Sequence, residues 1–276
     1  MKQLHFGTAG IPLSTQPRNT TEGIKWLKQL GLSAMELEFV RSVNIKEEQA
    51  PAIKSLAAQE GIILTSHGQY YINLNAIEKG KREASIKRTL NAARIAALCG
   101  AWSVCFHAAF YMGKPKEVAY NRVKEAFLKV RKALQEDGLE IWLRPEIGGK
   151  QVQFGGLEEL LALSAELEGV QPCVDYAHLH ARDGGRNNSY TEFAHSLERI
   201  EAVLGKEALK TMHIHCEGIT YGPKGEKSHV NLEESDLNYP ELVRAWKDFA
   251  VQGVVISESP NIEKDALLLQ KTYQTK

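Results

Sequence analysis

The chain has 276 residues, 43% of them apolar and 25% charged, which excludes disordered, collagen-like and low-complexity architectures. Lysine plus arginine (34) equals aspartate plus glutamate (34), so a broadly basic nucleic-acid coat is excluded, although a local basic patch is not. No apolar run approaches the roughly 20 residues of a membrane helix, and MKQLHFGTAGIPL lacks the basic start and long apolar core of a secretory signal, so the expectation is a cytoplasmic protein with no membrane association.

Eight runs read as strands: LHFGTA (Leu4–Ala9), AMELEF (Ala34–Phe39), IILTSH (Ile62–His67), WSVCFH (Trp102–His107), EIWLRPE (Glu140–Glu146), QPCVD (Gln171–Asp175), TMHIHC (Thr211–Cys216) and VVISE (Val254–Glu258). Gly31, Gly61, Gly100, Gly138, Gly169, Gly205 and Gly253 each stand between a helix-like segment and one of these runs, where glycine ends a helix without a Cβ clash. Val123, Phe127, Val130 and Leu134 keep helical spacing, as do Phe193, Leu197, Ile200 and Leu204, and Ser189 with Glu192 reads as a capping box. Eight alternating βα units without a composition break predict a single (β/α)8 TIM barrel over residues 1–276. An open doubly wound sheet fits less well, because no GxGxxG follows the first strand. Glu217 to Asn238, around GPKGEKSHVNLEESD, reads as one long structureless loop, and loops of that length are usually functional. Cys99, Cys105, Cys173 and Cys216 form no CxxC pair and read as buried, reduced thiols.

The polar residues at strand C-termini form a pattern. His67 ends the third strand, His107 the fourth, Glu146 the fifth and Asp175 the sixth, with His178 three residues on. His213 lies in the seventh strand, His229 in the long loop, and Glu258 ends the eighth. His5, His180 and His195 read as structural histidines. In a (β/α)8 barrel the C-terminal rim of the strands is where active sites are built. So many titratable groups on one rim are costly to bury unpaired, and metal coordination is the usual resolution. With Glu226 in the long loop the candidates outnumber the roughly four ligands of one tetrahedral zinc. Imidazole with carboxylate suits Zn²⁺ or Mn²⁺ rather than Mg²⁺ or an iron–sulfur cluster. Two or more close metals are a recurrent device for hydrolysing phosphate esters.

These motifs, HGQYYINL, CFHAAF, RPEIGG, CVDYAHLHARD, MHIH, GEKSHVNL and SESPN, resemble endonuclease IV, the zinc-dependent apurinic/apyrimidinic endonuclease family within the xylose-isomerase-like barrels. The resemblance runs from His67 to Pro260 and keeps the order of the ligands. It implies hydrolysis 5′ to an abasic site in duplex DNA to leave a 3′-hydroxyl, trimming of blocked 3′ ends, and up to three Zn²⁺ per monomeric chain. Carried over by motif, His67, His107 and Glu146 would hold one metal. Glu146 would bridge to a second, held also by Asp175, His213 and Glu258. His178 and His229 would hold the third with a carboxylate. Glu146 and Glu258 would be the catalytic carboxylates, Glu258 as general base. The family places an Asp two residues before the last histidine. Here that residue is Lys227, and the expected substitute is Glu226, with His215 in reserve because it shares a side of its strand with His213. Tyr70 and Arg41 fall where the family places residues that enter the DNA at the lesion. Lys114, Lys116, Lys150, Lys224 and Lys227 lie in loops on the same rim and would supply a cationic face.

A sugar isomerase or epimerase of the same superfamily is the main alternative, using one metal on Glu146, Asp175, His213 and Glu258. It does not need His67, His107, His178 or His229. A non-catalytic metal-binding scaffold is the third reading, and Glu258 beside a multi-metal cluster speaks against it.

Overall fold

The structure, a computed structural model, describes residues 1–275. Eight parallel strands, β1 (Leu4–Ala9), β2 (Ala34–Glu38), β3 (Ile63–His67), β4 (Ser103–Phe106), β5 (Trp142–Pro145), β6 (Cys173–Asp175), β7 (Met212–His215) and β8 (Gly253–Ser257), hydrogen-bond in the order 5-4-3-2-1-8-7-6. The two end strands meet through parallel bridges at Leu143–Val170 and Glu146–Cys173, with the Ile147 amide donating to the Cys173 carbonyl at 3.2 Å. The sheet therefore comes round on itself as a (β/α)8 barrel. All eight expected strands are present. His107, Glu146 and Glu258 fall one residue past β4, β5 and β8, at the C-terminal rim of the barrel.

Between and after the strands lie the helices α1 (Thr20–Leu30), α2 (Ala50–Glu60), α3 (Lys79–Leu98), α4 (Lys116–Glu136), α5 (Leu157–Glu166), α6 (Tyr176–Arg182), α7 (Tyr190–Leu204), α8 (Tyr239–Asp248) and α9 (Glu263–Gln274). α4 buries Val123, Phe127, Val130 and Leu134, the stripe its spacing predicts. α7 buries Phe193, Leu197 and Ile200, and its start is fixed by Glu192, which accepts from the Ser189 hydroxyl at 2.6 Å and the Ser189 amide at 3.1 Å. Among the described residues no helix is long and apolar enough to cross a membrane.

The stretch expected to be structureless is instead an antiparallel hairpin of Gly218–Gly222 and Gly225–Val230, followed by a 3₁₀ turn at Leu232–Glu234. Pro223 and Lys224 form a two-residue turn between paired glycines, a common way to join such strands. Its strands are short and mostly polar, so the usual apolar alternation is faint. Ile219 and Leu232 are its anchors, 2% and 1% exposed.

Gly253 also differs from expectation. It opens β8 instead of capping a helix, with φ +124° and no room for a side chain, since a Cβ would lie 2.0 Å from the Met212 carbonyl oxygen. Gly253→Ala should therefore destabilise the fold by at least about 2 kcal/mol. Gly138→Ala, at φ +68° with nothing within 4 Å of the added methyl, should cost only about 1 kcal/mol of left-handed strain. Chemical denaturation midpoints of the two variants check the difference.

Candidate metal centre

Glu146 stands at the middle of the rim, 1% exposed. One carboxylate oxygen lies 3.1 Å from His67 Nε2 and 3.4 Å from His107 Nδ1; the other lies 3.3 Å from both His178 Nδ1 and His215 Nδ1. Burial alone would raise the pKa of this carboxyl. The surrounding imidazoles outweigh burial and hold it well below the usual carboxylate range. The same balance acts on His67, where burial opposes the charge and Glu146 prevails, so the imidazole is pushed well above its ordinary value. At His107 burial wins and the value falls.

The neighbouring part of the site is built by α6. Asp175 ends β6 and caps this helix, its Oδ1 accepting from the His178 amide at 2.6 Å. Its other oxygen lies 2.8 Å from His178 Nδ1, which turns His178 Nε2 outward to within 3.2 Å of His229 Nε2. His229 arrives on the hairpin, which docks on the loop after β5 through the Glu226 amide and Gly149 carbonyl at 2.9 Å. Gly149 permits this approach, because a Cβ there would come within 2.8 Å of both the Glu226 and His178 side chains. Glu226 Oε2 lies 3.7 Å from His178 Nε2 and 3.8 Å from Lys150 Nζ. A further carboxylate, Glu217, lies two residues past β7 and is fully buried, its Oε1 3.8 Å from His229 Nε2. Burial, together with the charges of Asp175 and Glu258, pushes its pKa well above the carboxylate range.

On β7 the structure separates His213 from His215. Both face the barrel interior, but two residues advance a strand by about 6.6 Å, so they occupy different layers. His215 Nδ1 is the one that reaches the rim, 3.6 Å from Glu258 and grouped with Glu146 and Asp175. His213 lies a layer deeper, 3.1 Å from Glu36 and 3.0 Å from the Ser103 hydroxyl. The place expected for His213 is thus taken by His215. Glu258 also comes within 3.8 Å of His229 Nδ1. Tyr70 is 63% exposed, with its ring 6.1 Å from that of His67 and its amide tied to the Val40 carbonyl, beside the exposed Arg41. Glu38, at the end of β2, has its carboxyl pushed up to about 8 by burial and by the charge of Glu36. Glu36, Glu38 and Glu217 carried no signal in the sequence pattern.

These residues suit metal ions. Both oxygens of Glu217 and Nδ1 of His107 are buried without a hydrogen-bond partner, an expensive state that cations would relieve. Three overlapping rim groups place ligand atoms close enough to share an ion: His107, Glu146 and His178; Glu146, Asp175, His215 and Glu258; and His178, Glu217 and His229.

A sequence model of the family described as xylose isomerase-like TIM barrel matches residues 24–273. The chain belongs to this family. An uncharacterized protein of Methanocaldococcus jannaschii is 45% identical to this xylose isomerase-like barrel over 98% of the chain and 97% of its own length. A probable endonuclease 4 of Mycoplasma pneumoniae is 24% identical over 71% of the chain and 67% of its own length. The structure of endonuclease IV from Thermus thermophilus is similar with a TM-score of 0.73 at 21% identity, covering 97% of both chains. A D-tagatose 3-epimerase-like protein gives a TM-score of 0.71 at 14% identity, over 96% of the chain and 94% of its own. These two likenesses establish the barrel, which hydrolases and epimerases share.

The layering of β7 in this xylose isomerase-like barrel has a direct consequence. His215→Ala should weaken metal retention on dialysis, because it removes the one imidazole of the group Glu146, Asp175, His215 and Glu258. His213→Ala, outside that group, should weaken it less. Elemental analysis of the two purified variants checks the order.

Proposed function

We propose that this protein is a metal-dependent DNA repair phosphodiesterase of the endonuclease IV type. It cuts duplex DNA 5′ to an abasic site to leave a 3′-hydroxyl and also trims blocked 3′ ends. The observation that carries the reading is the excess of ligands. A single-metal epimerase needs one quartet, such as Glu146, Asp175, His215 and Glu258. Here His67, His107, His178, His229 and Glu217 stand around that quartet within a few ångströms. Up to three Zn²⁺ would be held: one by His67, His107 and Glu146, one by the quartet, and one by His178 and His229 with Glu217 or Glu226. Such ions supply Lewis acidity toward a phosphoryl oxygen and a hydroxide near neutral pH.

The chain's own residues divide the remaining work. Glu258 is only partly buried and stands between His215 and His229, one oxygen toward each, where its carboxylate can orient a water and take its proton. Glu146 holds the imidazoles of three strand ends in one place. The rim loops present Leu13, Tyr70, Tyr71, Ile77, Met112 and Val152 exposed, all on segments that follow barrel strands. Apolar and aromatic side chains of this kind stack on bases or wedge between base steps. Scattered apolar exposure is ordinary on protein surfaces, but concentration on the loops around one site marks a contact face. Exposed Arg41, Lys114, Lys116, Lys224 and Lys227 would pair with the phosphates.

Incubation of the zinc-loaded protein with a duplex carrying a reduced abasic analogue should yield a 5′ nick with a 3′-hydroxyl. On a duplex carrying an unreduced abasic site, no adduct should form with borohydride. About three metals per chain are expected. About one metal per chain with turnover of a ketose would make the protein an epimerase instead. Glu258→Gln should keep most of its metal and lose about 10²–10⁴-fold in rate, the range of a removed general base. Gel assays of nicking and elemental analysis on the same preparations check both parts.

A further inference from the structure

Beneath the rim the barrel interior holds polar side chains that this reaction leaves unused. A barrel of this kind is ordinarily filled by branched apolar residues. Here Glu36 from β2, Thr65 from β3, Cys105 from β4, Cys173 from β6 and His213 from β7 are all buried to 0% exposure. Cys105, Cys173, His213 and His215 each offer a ligand atom within 4.8 Å of the others, as a soft-metal site would. Glu36 tells against that use. Its Oε2 lies 2.8 Å from the Thr65 hydroxyl, 3.1 Å from His213 Nε2 and 3.4 Å from Cys105 Sγ, and its Oε1 lies 3.0 Å from His215 Nε2. The space between the thiol and the imidazoles is taken by a carboxylate whose Oε2 already accepts from the Thr65 hydroxyl and the Cys105 thiol.

We propose that Glu36 is a positioning residue that sets the tautomer and orientation of His215 for metal binding. A neutral imidazole has one N–H and one lone pair. With the quartet's ion on Nδ1 of His215, the ring proton belongs on Nε2, which faces the acceptor-only Glu36 at 3.0 Å. The Nδ1 lone pair then points to Glu146 and Glu258, 3.3 and 3.6 Å away, where the quartet would hold its ion. A carboxylate behind a metal-binding histidine raises the basicity of the ring and fixes its direction. Thr65 donates to Glu36 and Ser103 contacts the far nitrogen of His213, so the carboxylate is itself held from two sides. This inference rests on the proposal that the rim binds metal through His215. It does not depend on whether the substrate is DNA or a sugar.

Glu36→Gln tests it. A glutamine has one acceptor oxygen, and its amide N–H₂ can meet a histidine only on an unprotonated nitrogen. It cannot serve Thr65, His213 and His215 at once without forcing one ring into the opposite tautomer. Zinc affinity measured by competition with a chelator should fall about 10–100-fold. Long-range ¹H–¹⁵N spectra of zinc-loaded wild-type protein should show His215 protonated on Nε2, with the signal assigned by its absence in His215→Gln. That measurement stands even if Glu36→Gln fails to fold. A proton on Nδ1 of His215, or wild-type zinc affinity in a folded Glu36→Gln, overturns the role of Glu36. A thiolate-to-metal charge-transfer band in the cadmium-loaded wild type would place an ion on Cys105 and Cys173 and also overturn it. Wild-type protein that takes up no metal would overturn the metal reading of the rim itself, a different failure from an insensitive Glu36→Gln.

Discussion

A charged carboxylate buried at the middle of the rim is the condition around which this barrel is organised. Moving such a group from water to a low-dielectric interior has an idealised cost of order 20 kcal/mol, and several kcal/mol remain after relaxation. Glu146 meets that cost with imidazoles brought from β3, from the end of β4, from α6 and from β7. None of them is near Glu146 in sequence, so the arrangement exists only when the strands are in their barrel order. The same residue supplies one of the bridges by which β5 meets β6. Closure of the sheet and assembly of the site are therefore one event at one residue.

The site has two storeys. At the rim, partly open groups such as His107, His229 and Glu258 face the solvent side. Below them, Glu36, His213 and the two thiols replace apolar filling with polar side chains. Buried polar groups are costly unless each has a partner. Thr65 and Cys105 donate to one oxygen of Glu36 and Ser103 contacts His213, so the lower storey is tied to the strands around it.

Much of this was legible in the sequence, and the exceptions have physical causes. Glycines between helical stripes and apolar runs mark the βα repeats, and the strand ends put His67, His107, Glu146, Asp175 and Glu258 on one rim. A period of two tells which side chains of β7 share a face but not which layer each occupies, so His213 and His215 were indistinguishable. AMELE shows a strand, but only the barrel, with helices outside, turns its Glu36 side to the interior. Glu217 follows its strand so closely that it reads as the first residue of a loop. Cys105 and Cys173 meet only because the barrel curves, and no spacing rule anticipates that. The hairpin leaves little trace in the sequence because its strands carry so few apolar residues.

The contact between the hairpin and Gly149 ties two distant parts of the chain together. A Cβ at position 149 would fall within 2.8 Å of both the Glu226 and the His178 side chains. The hairpin delivers His229 and presses Glu226 onto that bare backbone. A side chain at position 149 would have to push back the hairpin and α6 together, so this one glycine sets how closely the outermost ligands can draw in toward the central quartet.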